Sequence, residues 1–292
     1  MPEAEGGAGA ETERFGLDDE ALAVQPTAFR DGLFDGQVAL VSGGAGGIGR
    51  ATAWLLARLG ATIVVTGRKR DKLEQLVERL QAAGLKASAE VLDIREPEAV
   101  EAFFEAFRAR HGRLDLLVNS AGGQFPQPAI DYSVKGWRAV VDTNLSGTWF
   151  MMQAAARHWR DAGHGGAIVN IVVITTHGLH GVAHSVAARA GVIALSRSLA
   201  VEWAPLGIRL NCVAPGAIET EGWKVYSPAA RASYPRTNPM MRAGTTWEIA
   251  EACAYLGGPA AGFVTGELLA VDGGGQLWGE VWTTGKPDYF KV

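Results

Sequence analysis

Short apolar runs alternate with amphipathic segments along most of the chain. Residues 38–41 and 61–66 are mainly apolar or β-branched, as in strands that are buried on both faces. After them, apolar side chains recur at helical spacing, for example at Leu73, Leu76 and Leu80. The pattern predicts strands at 38–41, 61–66, 90–92, 114–118, 168–173 and 208–213, and helices at 51–59, 73–80, 100–107, 134–162 and 182–204.

This alternation is typical of an α/β domain. Helices between successive strands predict a doubly wound parallel sheet with helices on both faces. No internal repeat or second domain interrupts the pattern, so we assign residues 31–292 to one domain. The hydrophobic content of 48% is enough for a sizeable core in a chain of 292 residues.

Residues 1–30 differ from the rest of the chain in charge. They contain seven acidic and two basic side chains, and this composition predicts a solvated, flexible arm. Phe15, Leu17 and Phe29 leave open an alternative in which part of the arm attaches to the domain.

Composition argues against several classes of protein. No apolar run is long enough to span a bilayer, and the first ten residues lack the basic and apolar regions of a signal peptide. Two cysteines are too few for a disulfide framework, and the histidines show no metal-ligand spacing, so no metal is expected. The net charge of −4 gives no basic surface for nucleic acid. We therefore expect a cytoplasmic protein without a nucleic-acid or membrane partner.

A glycine-rich segment follows the first predicted strand and precedes the first predicted helix. Residues 42–49 read Ser-Gly-Gly-Ala-Gly-Gly-Ile-Gly. Glycine allows the sharp turn, and the amides at the start of the next helix can bind a pyrophosphate. This context predicts a dinucleotide site with contacts from Ser42, Gly43, Ala45, Gly47 and Ile48.

The end of the second predicted strand indicates which dinucleotide is bound. An acid at this point holds the ribose 2′-hydroxyl of NAD, but here Gly67 is followed by Arg68. The guanidinium of Arg68 can form a forked contact with a 2′-phosphate. We therefore favour NADP(H) over NAD(H), the alternative being that Arg68 only caps a surface turn.

Several motifs together resemble those of the short-chain dehydrogenase/reductase family. Residues 42–49 resemble T-G-x-x-x-G-x-G, residues 119–122 resemble N-N-A-G, and residues 144–147 fit the catalytic-helix Asn motif. Residues 215–220 resemble the P-G-x-x-x-T segment, and residues 271–274 the end of the last strand. The resemblance covers residues 32 to about 275 and implies a seven-stranded Rossmann sheet. It also implies coenzyme contacts at Asp93, Ile94, Asn119, Ala121, Gly122, Pro215, Gly216, Ile218 and Thr220.

Other stretches are most similar to one branch of this family, the peroxisomal trans-2-enoyl-CoA reductases and 2,4-dienoyl-CoA reductases. They are residues 119–125, 135–137, 184–192 and 198–203. This resemblance implies a small-molecule substrate, an acyl thioester. It also implies a homo-oligomer, a dimer or a tetramer, that pairs its long helices and last strand across symmetric interfaces.

The chain departs from the family at the catalytic residues. Most members carry a Ser, a Tyr that transfers the proton and, four residues later, a Lys that lowers the Tyr pKa and holds the nicotinamide ribose. Here Ser185 and Arg189 stand at the Tyr and Lys positions, and residues 172–174, near the Ser position, carry no hydroxyl. Arg189 can hold the ribose but cannot shuttle a proton. The resemblance to dienoyl reductases implies that Ser185 binds a substrate carbonyl.

This departure favours conjugate reduction over ketone reduction. Ketone reduction needs a proton delivered to an alkoxide, whereas reduction of an enoyl thioester mainly needs hydrogen-bond donors at an enolate oxygen. We therefore predict an NADPH-dependent enoyl thioester reductase with Ser185, Arg189, His184 and Asn144 in its catalytic site. His184 is a candidate donor or a packing residue, and Asn144 is expected to support a helix kink and a bound water.

The segment 218–242 begins within the motif that is expected to contact the nicotinamide. Its content of Pro, Ser, Gly and aromatic residues predicts a mobile substrate lid. Tyr226 and Tyr234 either reach inward when the lid closes or are structural, and the basic residues of the lid meet coenzyme-A phosphates or solvent.

Two other functions stay open. One is an NADP-dependent alcohol dehydrogenase or carbonyl reductase whose proton donor comes from elsewhere. The other is an NADP(H)-binding protein with weak or no turnover.

Overall fold

The computed structural model describes residues 15–278. Within this range, seven strands form one parallel sheet. Its order is β3-β2-β1-β4-β5-β6-β7, and all neighbouring strands are parallel. The strands are β1 (Val38–Ser42), β2 (Thr62–Gly67), β3 (Ala87–Val91), β4 (Leu116–Asn119), β5 (Gly166–Ile171), β6 (Ile208–Pro215) and β7 (Leu268–Val271). The predicted fold class is confirmed.

Helices cover both faces of this sheet. One face packs side chains such as Leu55, Leu73 and Ile249 into a core, and the other packs Phe104 and Met152. Among the described residues the α-helices are α1 (Asp19–Val24), α2 (Gly47–Arg58), α3 (Arg70–Ala82), α4 (Pro97–His111), α5 (Val134–Val141), α6 (Thr148–Ala162), α7 (Ala183–Trp203), α8 (Pro228–Ser233) and α9 (Thr246–Gly257).

The strand order reverses between β1 and β4. Strands β2 and β3 lie on one side of β1, and β4 to β7 lie on the other. At the carboxyl edge, Ser42 of β1 is in register with Asn119 of β4. Open α/β sheets bind ligands in the crevice at such a reversal, and the predicted site residues lie along this edge.

The long helix predicted over residues 134–162 is interrupted. Helix α5 ends at Val141, a π-helical segment covers Asp142–Gly147, and α6 begins at Thr148. Asn144, where a helix kink is expected, lies in this π-helical segment. The sequence does not reveal it, because apolar side chains recur at helical spacing on both sides of this segment.

Residues 15–30 are attached to the domain, which corrects the flexible arm predicted as far as residue 30. Leu22 of α1 is fully buried and Asp19 is 4% exposed. The Asp19 carboxylate accepts hydrogen bonds from the Trp54 indole at 2.6 Å and from Arg79. The structure matches the alternative that Phe15, Leu17 and Phe29 left open, with Leu17 and Phe29 packed against the core. The acidic composition does not reveal this attachment, because the partners of Asp19 lie on α2 and α3. Residues 1–14 lie outside the described residues.

None of the helices in residues 15–278 combines the length and apolar character needed to cross a bilayer. Within that range, no three Asp, Glu, His or Cys side chains are grouped to hold a metal ion. Cys212 and Cys253 are buried free thiols, and burial raises their pKa values to about 11 and about 12.

Candidate active site

The glycine-rich turn packs directly against the loop that follows β4. Gly43 has a φ of 69°, and a Cβ there would lie 2.6 Å from the backbone Cα of Ala121. A Cβ on Gly49 would lie 2.4 Å from the carbonyl oxygen of Gly43. Larger side chains at either position would push the turn apart, so these glycines fix the shape of the crevice.

The N-terminus of α2 is open to a ligand. Gly46 caps the helix without a side-chain hydrogen bond, and the first turn carries no acidic residue. A Cβ placed on Gly46 would meet no atom within 4 Å. The first amides of a helix need partners from outside it, and they attract anions. This end of α2, beside Ala45, Gly47 and Ile48, therefore fits the pyrophosphate of a dinucleotide.

Arg68 and Asp93 follow two neighbouring strands, β2 and β3, and occupy different surroundings. Arg68 is exposed. The Asp93 carboxylate accepts hydrogen bonds from the Nε and backbone N of Arg95, at 2.9 and 3.1 Å, and these bonds hold its pKa below the ordinary value. Ile94 is buried against Gly147 of the π-helical segment. Sequence reasoning missed Arg95, which partners the predicted adenine contact.

Asn119 belongs to a buried polar chain across the sheet edge. Its Oδ1 accepts from Ser42 Oγ at 3.3 Å, and its Nδ2 donates to Asn170 Oδ1 at 2.9 Å. Asn170 continues the chain to Ser196 on α7 at 3.0 Å. Because Ser42 and Asn119 use their side chains in this way, they fix the positions of β1, β4 and β5 behind the crevice.

The segment after β6 closes the opposite side of the crevice. A Cβ on Gly216, which follows Pro215, would lie 2.8 Å from the Asp272 Cα, and Ile218 is buried against Gly244. The Thr220 side chain accepts a hydrogen bond from the amide of Gly222, and its methyl carbon lies 3.6 Å from the position of a Cβ on Gly47. The predicted nicotinamide contacts therefore lie beside the glycine-rich turn.

Asn144 joins the π-helical segment to the loop after β4. Its amide donates to the Gly123 carbonyl and accepts from the Gly123 amide, both at 2.9 Å. The same Nδ2 lies 3.5 Å from Ser185 Oγ. Asn144 therefore holds the loop that carries Ala121 and Gly122 close to α7.

Ser185 and Arg189 are one turn apart on α7 and face the same loop. The Arg189 guanidinium donates to Ser185 Oγ and, at 3.4 Å, to Gln124 Oε1. A Cβ on Gly122 would lie 2.9 Å from Arg189 Nη2. Burial lowers the pKa of Arg189 to about 10, and Tyr226 opposes this shift, so the side chain stays cationic at neutral pH. The site thus contains a fixed cation with several donors.

His184 lies inside the wall of the site. It is fully buried, and its Nδ1 accepts a hydrogen bond of 2.8 Å from the Ser185 amide. Its ring stacks on Tyr132 at 4.4 Å and meets the edge of Phe125 at 4.5 Å. The Nε2 atom is buried without a hydrogen-bond partner. The structure therefore does not place His184 with the Arg189 and Gln124 side chains.

The predicted lid contacts both the site and the beginning of the described chain. Gln124, which sequence reasoning missed, donates a hydrogen bond of 2.9 Å to Tyr226 Oη. On the outer side, Phe15 packs 6.2 Å from Trp223, and the Gly16 amide donates to the Glu219 carboxylate at 3.1 Å. The signal for Gln124 was its place just beyond the carboxyl end of β4.

Two of the basic residues assigned to the lid have protein partners. Arg242 forms an ion pair with Glu248, with hydrogen bonds of 2.5 and 3.0 Å. The Arg231 guanidinium lies 4.7 Å from the centroid of the Phe15 ring. Lys224 and Arg236 are exposed.

A family model described as "Enoyl-(Acyl carrier protein) reductase" matches residues 43–276, which include most of the crevice. The chain belongs to the short-chain dehydrogenase/reductase family. It is therefore an oxidoreductase that uses a nicotinamide coenzyme, as the glycine-rich turn and the open end of α2 indicate.

Individual members of the family are also similar to this chain. A probable 2,4-dienoyl-CoA reductase of Bacillus subtilis is 39% identical over 243 residues, covering 82% of this chain and 96% of that protein. A peroxisomal 2,4-dienoyl-CoA reductase of Danio rerio is 36% identical over 267 residues, covering 89% and 88%. The predicted resemblance to the dienoyl-CoA reductase branch is confirmed.

A solved structure of this short-chain family has a similar fold. It is described as the citronellol catabolism dehydrogenase (AtuB) of Pseudomonas aeruginosa PAO1. It is 39% identical, with a TM-score of 0.77, and the match covers 86% of this chain and 99% of that one. Relatives of this oxidoreductase therefore include both thioester reductases and an alcohol catabolism enzyme.

Proposed function

We propose that this short-chain oxidoreductase uses NADPH to reduce the activated C=C bond of an enoyl thioester. The observation that carries the proposal is the Ser185–Arg189 pair, which provides hydrogen-bond donors where most of the family has a Tyr and a Lys. Relatives named 2,4-dienoyl-CoA reductases support the substrate class.

The proposed roles follow from the positions of these side chains. The nicotinamide, when bound, supplies the hydride. Arg189 holds the ribose hydroxyls, and Ser185 donates to the thioester carbonyl, whose oxygen becomes negative as the β-carbon is reduced. Asn144 keeps the loop after β4 against α7, so these donors are in place before the charge develops.

The choice of NADPH rests on the second strand. No acidic residue follows β2 within residues 67–70, and Arg68 is exposed at its end, where a 2′-phosphate would add two negative charges. A forked guanidinium–phosphate contact matches this arrangement. A homo-oligomer, either dimer or tetramer, and a cytoplasmic location stay predictions.

The test is a substrate and coenzyme panel. We expect oxidation of NADPH, more efficiently than of NADH, with crotonyl-CoA and longer trans-2-enoyl-CoA esters. Matched 3-ketoacyl-CoA esters should be poor substrates. Preferential turnover of the ketoacyl esters would contradict the proposal.

A second candidate is an alcohol dehydrogenase or carbonyl reductase. It is favoured by the similarity to the citronellol catabolism dehydrogenase. Assays with NADP⁺ and branched or terpenoid alcohols distinguish this function from enoyl reduction. Binding of NADPH without turnover of any substrate in either panel would instead support the third candidate, an NADP(H)-binding protein with weak or no activity.

A further inference from the structure

The lid brings the phenol of Tyr226 onto Gln124, which also contacts Arg189. Gln124 donates its amide hydrogen to Tyr226 Oη at 2.9 Å and accepts from Arg189 at 3.4 Å. Arg189 also donates to Ser185 Oγ. A hydrogen-bonded path therefore joins Tyr226 to the two residues at the family's Tyr and Lys positions.

We propose that Tyr226 is the proton donor of the reaction, and that the lid supplies it in place of the tyrosine missing from α7. The proposal rests on the proposed function for the identity of the acceptor, which is the α-carbon of the enolate. It makes catalysis dependent on the position of the lid, because Ser185 and Arg189, the α7 side chains at the site, are not suited to the transfer.

The direction of the Gln124 bond leaves the phenolic proton available. Because the amide donates to Oη, the O–H of Tyr226 is free to point to another acceptor. The same amide can donate to the phenolate that remains after transfer. The Arg189 cation is also close enough to interact electrostatically with Tyr226.

The proton transfer balances without a further reactant. Once the β-carbon has received hydride, the substrate is an enolate. The Tyr226 O–H bond breaks, a C–H bond forms at the α-carbon with the electron pair of the enolate C=C, and the thioester carbonyl forms again. Solvent then returns a proton to the phenolate, since Tyr226 is only half-buried.

Tyr234 lies in the same aromatic cluster and serves as a matched control. Its ring lies 4.8 Å from Trp223 and 5.7 Å from Tyr226. Burial, and then the proximity of Tyr226, raise the pKa of Tyr234 to about 12. A phenol that ionises so reluctantly is a poor acid at neutral pH.

The experiment compares Tyr226→Phe with Tyr234→Phe on the substrate that the wild type turns over. We expect Tyr226→Phe to lower kcat by about 10²- to 10³-fold, within the range of about 10²- to 10⁴-fold that general acid catalysis contributes. KM and the calorimetric Kd for NADPH should stay within about threefold of wild type. Tyr234→Phe should keep kcat within about threefold.

Two further measurements separate catalysis from structure. In D₂O, NMR of the product should show deuterium on one face of the α-carbon with wild type and on both faces with Tyr226→Phe. Thermal unfolding of the coenzyme-free Tyr226→Phe protein should match wild type, which would show that the variant folds.

Other outcomes would overturn the proposal. An effect of Tyr226→Phe on KM alone would mean that the Tyr226–Gln124 bond only closes the lid. Equal losses of kcat in the two variants would mean that the cluster acts structurally. If wild type reduces ketones and no enoyl thioester, the proposed function fails, while the same pair of variants still tests Tyr226 with an alkoxide oxygen as the acceptor.

Discussion

The Asp19 carboxylate lies 2.6 Å from the indole nitrogen of Trp54. The same carboxylate accepts hydrogen bonds from Arg79 on α3 and, at 3.4 Å, from Arg50 on α2. One nearly buried acid therefore attaches α1 to α2, which begins at the glycine-rich turn, and to α3. The attachment makes the first described helix part of the folded domain.

Replacing Asp19 tests this attachment. Asp19→Asn keeps the shape of the side chain but removes the charge that faces two guanidinium groups. We expect the free energy of unfolding to fall by about 2 kcal/mol, since hydrogen bonds to charged groups contribute more than neutral ones. Urea unfolding measures the change. Glu20→Gln, at the exposed next position, should change stability by less than about 0.5 kcal/mol, and equal effects would contradict the assignment.

Arg68 is expected to set the coenzyme preference. Arg68→Ala should weaken NADPH binding by about 10- to 100-fold, the loss of one charge-assisted contact. NADH binding should change little, because it lacks the 2′-phosphate. Calorimetric titration of both coenzymes measures the difference. Arg70→Ala is the control, because Arg70 is exposed nearby and pairs with Glu74 at 3.4 Å. An equal loss in both variants would mean a general effect of positive charge.

Arg189 is expected to bind the coenzyme through its charge and donors. Arg189→Lys keeps the cation at the position where most of the family has Lys, and it should keep the Kd for NADPH within about threefold. Arg189→Met removes the charge and should weaken binding about tenfold. Both values come from calorimetry on the purified proteins. Equal losses of affinity in the two variants would show that NADPH binding depends on the guanidinium hydrogen bonds to Ser185 and Gln124 more than on the positive charge.

His158 should make stability depend on pH. It is 2% exposed, neither ring nitrogen has a hydrogen-bond partner, and burial, followed by Arg108 and His164, lowers its pKa from 6.5. As pH falls through 6.5, the unfolded chain takes up a proton that the folded protein resists, so the free energy of unfolding decreases. Nearby Asp161 opposes this shift.

The variant His158→Phe removes this titration. Urea unfolding between pH 7.5 and 5 should show a shallower loss of stability than in wild type, measured as the change in midpoint. Part of the slope should remain, because the pKa of His111 is also lowered, mainly by burial. The exposed His180 provides the control, and His180→Gln should keep the wild-type slope. An unchanged slope in His158→Phe would contradict the prediction.

The sheet could be predicted because its signals are local and repeated. Each central strand is an apolar run, and glycines follow β1 where only a small residue fits, as at Gly43 beside Ala121. These features do not depend on distant partners. The positions of Ser185 and Arg189 also followed from sequence, since four residues on a helix place two side chains on one face.

The features that sequence did not reveal depend on contacts between distant segments. Gln124 and Tyr226 are 102 positions apart, and nothing in either neighbourhood indicates that they meet. The partners of Asp19 lie 35 and 60 positions away. His184, a candidate donor by its place beside Ser185, has its ring enclosed by Phe125 and Tyr132, which only the tertiary structure shows.

The contact between Gly16 and Glu219 joins positions that are 203 residues apart. If residues 218–242 move with each turnover, they must either carry Phe15 and Gly16 along or separate from them. The rate of product release would then depend in part on Phe15 and Gly16, which precede the family motifs. Work on the kinetics of this enzyme should therefore retain residues 15–30.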